Sequence, residues 1–176
     1  MRFAFKTLTI TLILAGLFAC EEVKNLLTFT IKNDTTFTIE NQFGPDVPFS
    51  VPTPDVTTNS SQKFENNNTA ANLVKTIKLN DLELEIKSPE DFTFSFLKSL
   101  TIFISAEGVE ETEVAYKNNI SKDAQRIDLE TYDKDLSPYI KKDTYDLRFK
   151  AVTREAFARD VTLKADMEFE VRADPL

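Results

Sequence analysis

Three groups of residues stand at spacings that chemistry uses, and each has a plainer explanation beside it. Ser95-Phe96-Leu97-Lys98 has the S-x-x-K spacing of a serine nucleophile with its lysine. It sits among alternating phenylalanines rather than at a helix start, and the companion K-T-G and S-D-N elements are missing from the chain. Asp133, Asp135 and Ser137 repeat the 1-3-5 spacing of a calcium loop. Pro138 stands where that loop needs glycine, and Thr144 where it needs a bidentate glutamate, so an EF-hand is excluded. Glu83 with Glu85, and Glu168 with Glu170, resemble the carboxylate pairs of glycoside hydrolysis. Each pair alternates with apolar neighbours, which makes it the wet face of a strand.

The missing residue types exclude more. Histidine occurs nowhere in the 176 residues, and Cys20 is the one cysteine. Ser-His-Asp and Cys-His catalysis need an imidazole, and most zinc sites need imidazole or thiolate. The expectation is a protein that is not an enzyme, with no cofactor and no metal. Two binding possibilities remain. Tyr132, Tyr139 and Tyr145 lie close in sequence to Asp133, Asp135 and Asp143, a mixture that can stack on and hydrogen-bond a sugar. Core and rim tyrosines give the same pattern. The many phenylalanines could line a lumen for a lipid, or simply fill a core.

Cys20 has the most distinctive surroundings. Arg2 and Lys6 precede an apolar run from Leu8 to Phe18, then comes small Ala19. This order of basic start, apolar stretch and small residue is that of an export signal. The run is shorter than the ~20 residues that span a bilayer, which disfavours a membrane anchor. Leu17-Phe18-Ala19-Cys20 resembles the lipobox of bacterial lipoproteins, with bulky Phe18 where that motif prefers a small residue. The resemblance implies a type II signal peptide over residues 1–19, cleavage before Cys20, and acylation of its thiol and new amino terminus by palmitate-like chains. Two acyl signals hold a protein on a membrane where one does so marginally. Glu21 follows the cysteine, where an aspartate would imply retention in the inner membrane, so the resemblance implies the outer membrane. Its periplasmic face or the cell surface is the expected address, and Glu21-Glu22 is either a display signal or a solvated tether.

Removing residues 1–19 takes Arg2 and Lys6 from 21 basic side chains and leaves 19 against 29 acidic ones, a net charge of −10. Such a surface repels phosphate backbones and anionic headgroups, so nucleic acid is not an expected partner. With its one cysteine acylated, the exported body has no internal disulfide.

The elements that would position these residues read as strands. Residues 20–26 form the lipidated tether, and a single domain spans 27–176. Leu27, Phe29 and Ile31 alternate with polar residues, as do Phe37 and Ile39. A three-residue turn at Asn33-Asp34-Thr35 would pair Ile31 with Phe37 and keep one apolar face. Residues 41–72, rich in Pro and Asn, read as a long irregular loop with an edge strand near Phe49. Around Asn80-Asp81 the parity of Ile77, Leu79, Leu82 and Leu84 inverts, meaning either a hairpin or one bulged strand. Ser88-Pro89 ends that run, and Phe92, Phe94 and Phe96 alternate after it. Leu100 to Ala106 is apolar on both sides and reads as a central strand, paired to 113–117 with Ile104 opposite Val114. Ile127 and Leu129 suggest a short strand, and 135–140 one helical turn with Pro138 early. Strands follow over 145–151 and 161–171.

About 8–10 strands without a long amphipathic helix predict an all-β antiparallel sandwich, with a β-barrel as the alternative. Apart from the signal, the body is only vaguely similar to small exported β-sandwich lipoproteins of unassigned function. The expected role is a lipid-anchored, non-enzymatic binding, adhesion or structural module with an envelope protein, glycan or lipid as partner. A carrier of a lipid or other apolar ligand is the alternative, and a carbohydrate-binding or carbohydrate-active protein stands third.

Overall fold

Alternation of apolar and polar side chains dominates the chain, and the computed structural model, which describes residues 26–176, turns it into two antiparallel sheets. The expected signal peptide, Cys20 and the expected tether as far as Asn25 lie outside the described residues. One sheet contains β1 (Leu27–Ile39), β10 (Val161–Ala173), β4 (Val74–Ser88) and β7 (Arg126–Asp128), in that spatial order. The other runs β2 (Pro48–Pro52), β9 (Thr144–Thr153), β5 (Leu97–Ala106), β6 (Val109–Asn118) and β8 (Glu130–Thr131), with β3 (Val56–Thr57) also on β9. Both sheets are open, so the fold is a sandwich and the barrel alternative is excluded.

The central strands show why the sheets pack. Every odd residue of β10 from Val161 to Ala173 is buried, while the even ones are partly wet. Ile102, Ile104, Leu147 and Phe149 supply the facing layer. Phe37 of β1 meets Phe149 of β9 with ring centroids 5.0 Å apart, so side chains from the two sheets touch across the interior. Chain crossover occurs at Leu129: β7 belongs to the first sheet and β8 to the second, and the Leu129 N–H donates to the Leu82 carbonyl at 2.9 Å.

Four local expectations are corrected. No hairpin forms at Asn33-Asp34-Thr35; β1 runs straight through, paired with β10 from Leu27–Ala173 to Ile39–Val161. Ile31 and Phe37 lie six positions apart, so a continuous strand keeps them on one face as well as a turn would. The Ile104–Val114 pair is also replaced: Ile104 faces Thr112, Ile102 faces Ala115, and a register shift at Val114 buries both Val114 and Ala115. A two-residue turn, Glu107-Gly108, sets this register, with Gly108 at φ 72°. Phe94–Phe96 forms a 3₁₀ turn rather than a strand, with Phe94 and Phe96 both buried. The 41–72 segment holds the expected edge strand β2, and also β3 and the short helix α1 (Ser60–Glu65). At Asn80-Asp81 the bulged strand is the outcome, since Glu168 faces Asp81 while Phe169 faces Leu79. The helical turn expected at 135–140 is α2 (Ser137–Ile140), with Pro138 in its first turn.

Candidate functional site

The sandwich scatters the three tyrosines proposed as a sugar platform. Tyr145 points inward from β9 and is 1% exposed; its hydroxyl lies 3.4 Å from the Met167 sulfur and accepts from Asn33 Nδ2 at 3.3 Å. Burial pushes this phenol's pKa far above the usual range. Tyr139 of α2 is also buried, and its hydroxyl donates to the Glu110 carbonyl at 2.6 Å. Tyr132, just after β8, lies half-buried on the outer surface of the second sheet, its ring 5.2 Å from that of Tyr116. A ligand cannot stack on two buried rings, so the expected platform does not form.

The other candidate groups also find structural partners. Ser95 lies in the 3₁₀ turn, where its carbonyl accepts from Arg154 at 3.0 Å, and Lys98 Nζ reaches Asp46 at 3.2 Å. Asp133 pairs with Lys78 at 2.5 Å. Asp135 Oδ1 accepts the Ile77 N–H at 3.0 Å, the Ser137 N–H at 3.0 Å and the Ser137 hydroxyl at 2.5 Å. Burial alone would raise the Asp135 pKa; the Ser137 hydroxyl, the two backbone N–H groups and Lys141 together hold it below the usual range. Glu83 and Glu85 share Arg126 on the outer face of the first sheet, at 3.1 and 3.0 Å. Their environments diverge slightly: burial holds Glu83 up, while hydrogen bonds from Lys87 and Arg126 hold Glu85 down. Among the described residues no three His, Cys, Asp or Glu gather as a metal site.

Several arrangements had no signal in the sequence. On the outer face of the second sheet the Arg148 guanidinium lies 4.1 Å from the Phe103 ring centre and binds Glu111 through two nitrogens, at 2.7 and 2.5 Å. These residues come from three different strands or strand ends, so only the observed register brings them together. Asp55 and Asp146 meet at an exposed rim, where the hydrogen bond to Asp55, then burial and like charge, raise the Asp146 pKa. A third arrangement is internal. Lys63 of α1 donates to Asn33 Oδ1 at 2.6 Å and to the Lys32 carbonyl at 2.9 Å, tying the helix to the middle of β1. Burial lowers the Lys63 pKa. Beside it, Lys32, Asp34, Asp166 and Glu168 rim an open polar depression of about 380 Å³.

No protein-family model and no curated protein matches the chain. Among solved structures it is similar to Desmodium yellow mottle tymovirus, with 15% identity over 86% of this chain and 84% of that one, at a TM-score of 0.34. It is also similar to a structure of infectious bursal disease virus strain Gx, with 11% identity over 85% of this chain and 32% of that one, at a TM-score of 0.35.

Proposed function

We propose that this protein is an acylated lipoprotein of the outer envelope of a Gram-negative bacterium, held by Cys20 and serving as a non-enzymatic binding or structural module. The observation that carries the reading is the order Arg2, Lys6, apolar run, Ala19, Cys20, together with the absence of any other cysteine. An unpaired cysteine in an exported chain calls for a chemical use, and acylation supplies one. β1 begins at Leu27, so six residues separate Cys20 from the sandwich. Fully extended, they reach at most about 20–22 Å. The end of the sandwich holding Leu27 and Ala173 would then face the bilayer.

A non-enzymatic role is supported by chemistry of two kinds. No imidazole exists to serve as a general base near neutral pH. The candidate carboxylates are bound to lysine, arginine or backbone N–H groups, Glu83 and Glu85 through one shared arginine. A module of this sort works through its surface, and the net charge of −10 on the exported part disfavours nucleic acid and anionic headgroups as what it contacts.

Fractionating cells that make the full-length chain or its Cys20→Ala variant, with a palmitate label present, tests the anchor. The wild-type chain is expected in the membrane fraction and labelled; the variant is expected unlabelled and soluble. Membrane partitioning of the variant, or a wild-type chain without label, would overturn the reading.

A further inference from the structure

The four outer strands of the two sheets are protected very unequally. β7 and β8 are three and two residues long, and β2 carries Pro48 and Pro52. Short strands and prolines are ordinary ways to prevent edge-to-edge pairing. β1 has neither protection: it is thirteen residues long, free of proline, and paired as a strand only to β10, with β3 and α1 packed beside it. Among the described residues, one hydrogen bond reaches its backbone from outside the sheet, the Lys63 contact to the Lys32 carbonyl. That contact shows which way the backbone points. Carbonyls and N–H groups of the even-numbered residues face away from β10.

The sequence of this edge is nearly its own mirror image about Asn33. Thr28 matches Thr38, Phe29 matches Phe37, and Thr30 matches Thr36, while Lys32 on one side matches Asp34 on the other. A strand of this kind complements an antiparallel copy of itself. Placing a two-fold axis at Asn33 sets each Lys32 opposite the other copy's Asp34, as a hydrogen-bonded pair, because both are even-numbered. Threonine then faces threonine along the exposed side. The half-buried ring of Phe29 falls beside Phe37 of the second copy.

Charge inside one copy favours the same partner. Asp34 lies directly across from Asp166, a like-charged neighbour, and Asp166 already holds Lys164 at 2.6 Å. Among the described residues Asp34 forms no ion pair of its own. Lys32, bound to Glu168 on one side, is 71% exposed along its side chain. A second copy brings a cation to Asp34 and an anion to Lys32, twice over. A one-residue slip would reverse the faces, and a two-residue slip would separate the charges.

We infer that β1 is a self-association edge: two copies of this chain pair β1 to β1, antiparallel and centred on Asn33, joining two four-stranded sheets into one of eight. Lys63 yields the Lys32 carbonyl to the Asp34 N–H of the second copy and keeps its bond to Asn33. The pairing uses no acyl group.

Charge exchange tests it. Two differently tagged full-length copies are co-expressed, the envelope is dissolved in mild detergent, and one tag is captured while the other is quantified. Wild type with wild type is expected to co-purify. Lys32→Asp with itself makes two Asp–Asp pairs, and Asp34→Lys with itself makes two Lys–Lys pairs; each is expected to lower recovery about tenfold. Lys32→Asp mixed with Asp34→Lys recreates two opposite-charge pairs and is expected to return to within about twofold of wild type. Rescue in the mixture also shows that both variants fold. A wild-type chain that captures no second copy overturns the inference. So does equal recovery in every combination, or a mixture no better than either variant alone.

Discussion

The two ends of the sandwich are closed by different chemistry. At one end Phe92, Phe94, Phe96 and Phe157 cluster, with the Phe96 and Phe157 ring centres 4.7 Å apart. Arg154 seals this cluster, its guanidinium donating to the Ser95 carbonyl at 3.0 Å and the Ile120 carbonyl at 2.6 Å. The opposite end is closed by α1 and α2, and polar groups do the joining. Thr58 donates to the Lys142 carbonyl at 2.6 Å, Thr69 to the Asp174 carbonyl at 2.7 Å, and Lys141 to the Val74 carbonyl at 3.1 Å. Among the described residues, no buried side-chain nitrogen or oxygen lacks a partner.

The contrast separates amount of stability from choice of structure. Phenylalanines contribute through area and shape, and a neighbour can fill in when one is changed for something similar. A buried amide or hydroxyl tolerates one arrangement, since an unpaired polar group costs about 1–3 kcal/mol. The helix-capped end therefore specifies register and helix position more than it adds stability. It is also the end from which Leu27 leads back toward Cys20.

Cutting into the aromatic end is expected to give the largest loss. Phe96 is 1% exposed and touches three other rings, so Phe96→Ala should destabilise by about 3–5 kcal/mol, read from urea unfolding of the full chain. Phe96→Leu should cost clearly less, because shape can be partly recovered. Equal costs for the two would mean that the end is not held by packing.

The polar region should respond in the opposite way to an isosteric change. Asn33→Leu keeps the branched shape and heavy-atom count yet strips Lys63 of a charged hydrogen bond and Tyr145 of a donor. About 2 kcal/mol is the expected loss. Tyr145→Phe should cost about 1 kcal/mol. In the double variant the Asn33–Tyr145 bond is removed only once, so the combined loss should fall short of the sum. Strict additivity would show that the 3.3 Å contact contributes nothing, and would break the contrast drawn between the ends.

Asn33 also shows where the sequence was legible and where it was not. Alternation identified β10 of the first sheet, the central β5 and β9, and the sandwich class itself, because a two-residue period survives any tertiary context; it split β1 into two strands and left β4 open between a hairpin and one bulged strand. Asn33-Asp34 has turn chemistry, and local rules favoured a hairpin. What overrode them lies thirty residues away in α1 and over a hundred away in Tyr145, both of which hold Asn33 inside the sheet. The Ile104–Val114 pairing failed for a related reason: matching apolar faces cannot reveal a bulge when Val114 and Ala115 are both buried. Phe92, Phe94 and Phe96 alternate like a strand, but Arg154 stabilises a 3₁₀ turn there through the Ser95 carbonyl. Of the candidate site, negative findings such as the missing histidine were readable directly. The β1 edge was not, because its mirror pattern means nothing until both flanks are known to lie on one uninterrupted strand.

The smallest expected effect tests the helix-capped end through pH. Asp135 joins α2 to β4 by accepting from Ser137 and from the Ile77 N–H, and its folded pKa lies below the unfolded value of about 3.9. A carboxylate of this kind contributes fully above its unfolded pKa, and the contribution fades as pH falls through the depressed folded value. The residue is exposed, so water replaces part of what is lost, and Asp135→Asn should cost only about 0.5–1 kcal/mol at pH 7. As pH falls below the unfolded value and through the depressed folded one, the wild-type carboxyl gains its proton and the two chains should converge. Phe96→Leu carries no such titration and should keep a constant difference from wild type across the same range. A pH-independent gap for Asp135→Asn would mean that the hydrogen bonds act without their charge, leaving the two ends of the sandwich alike in their response to acid.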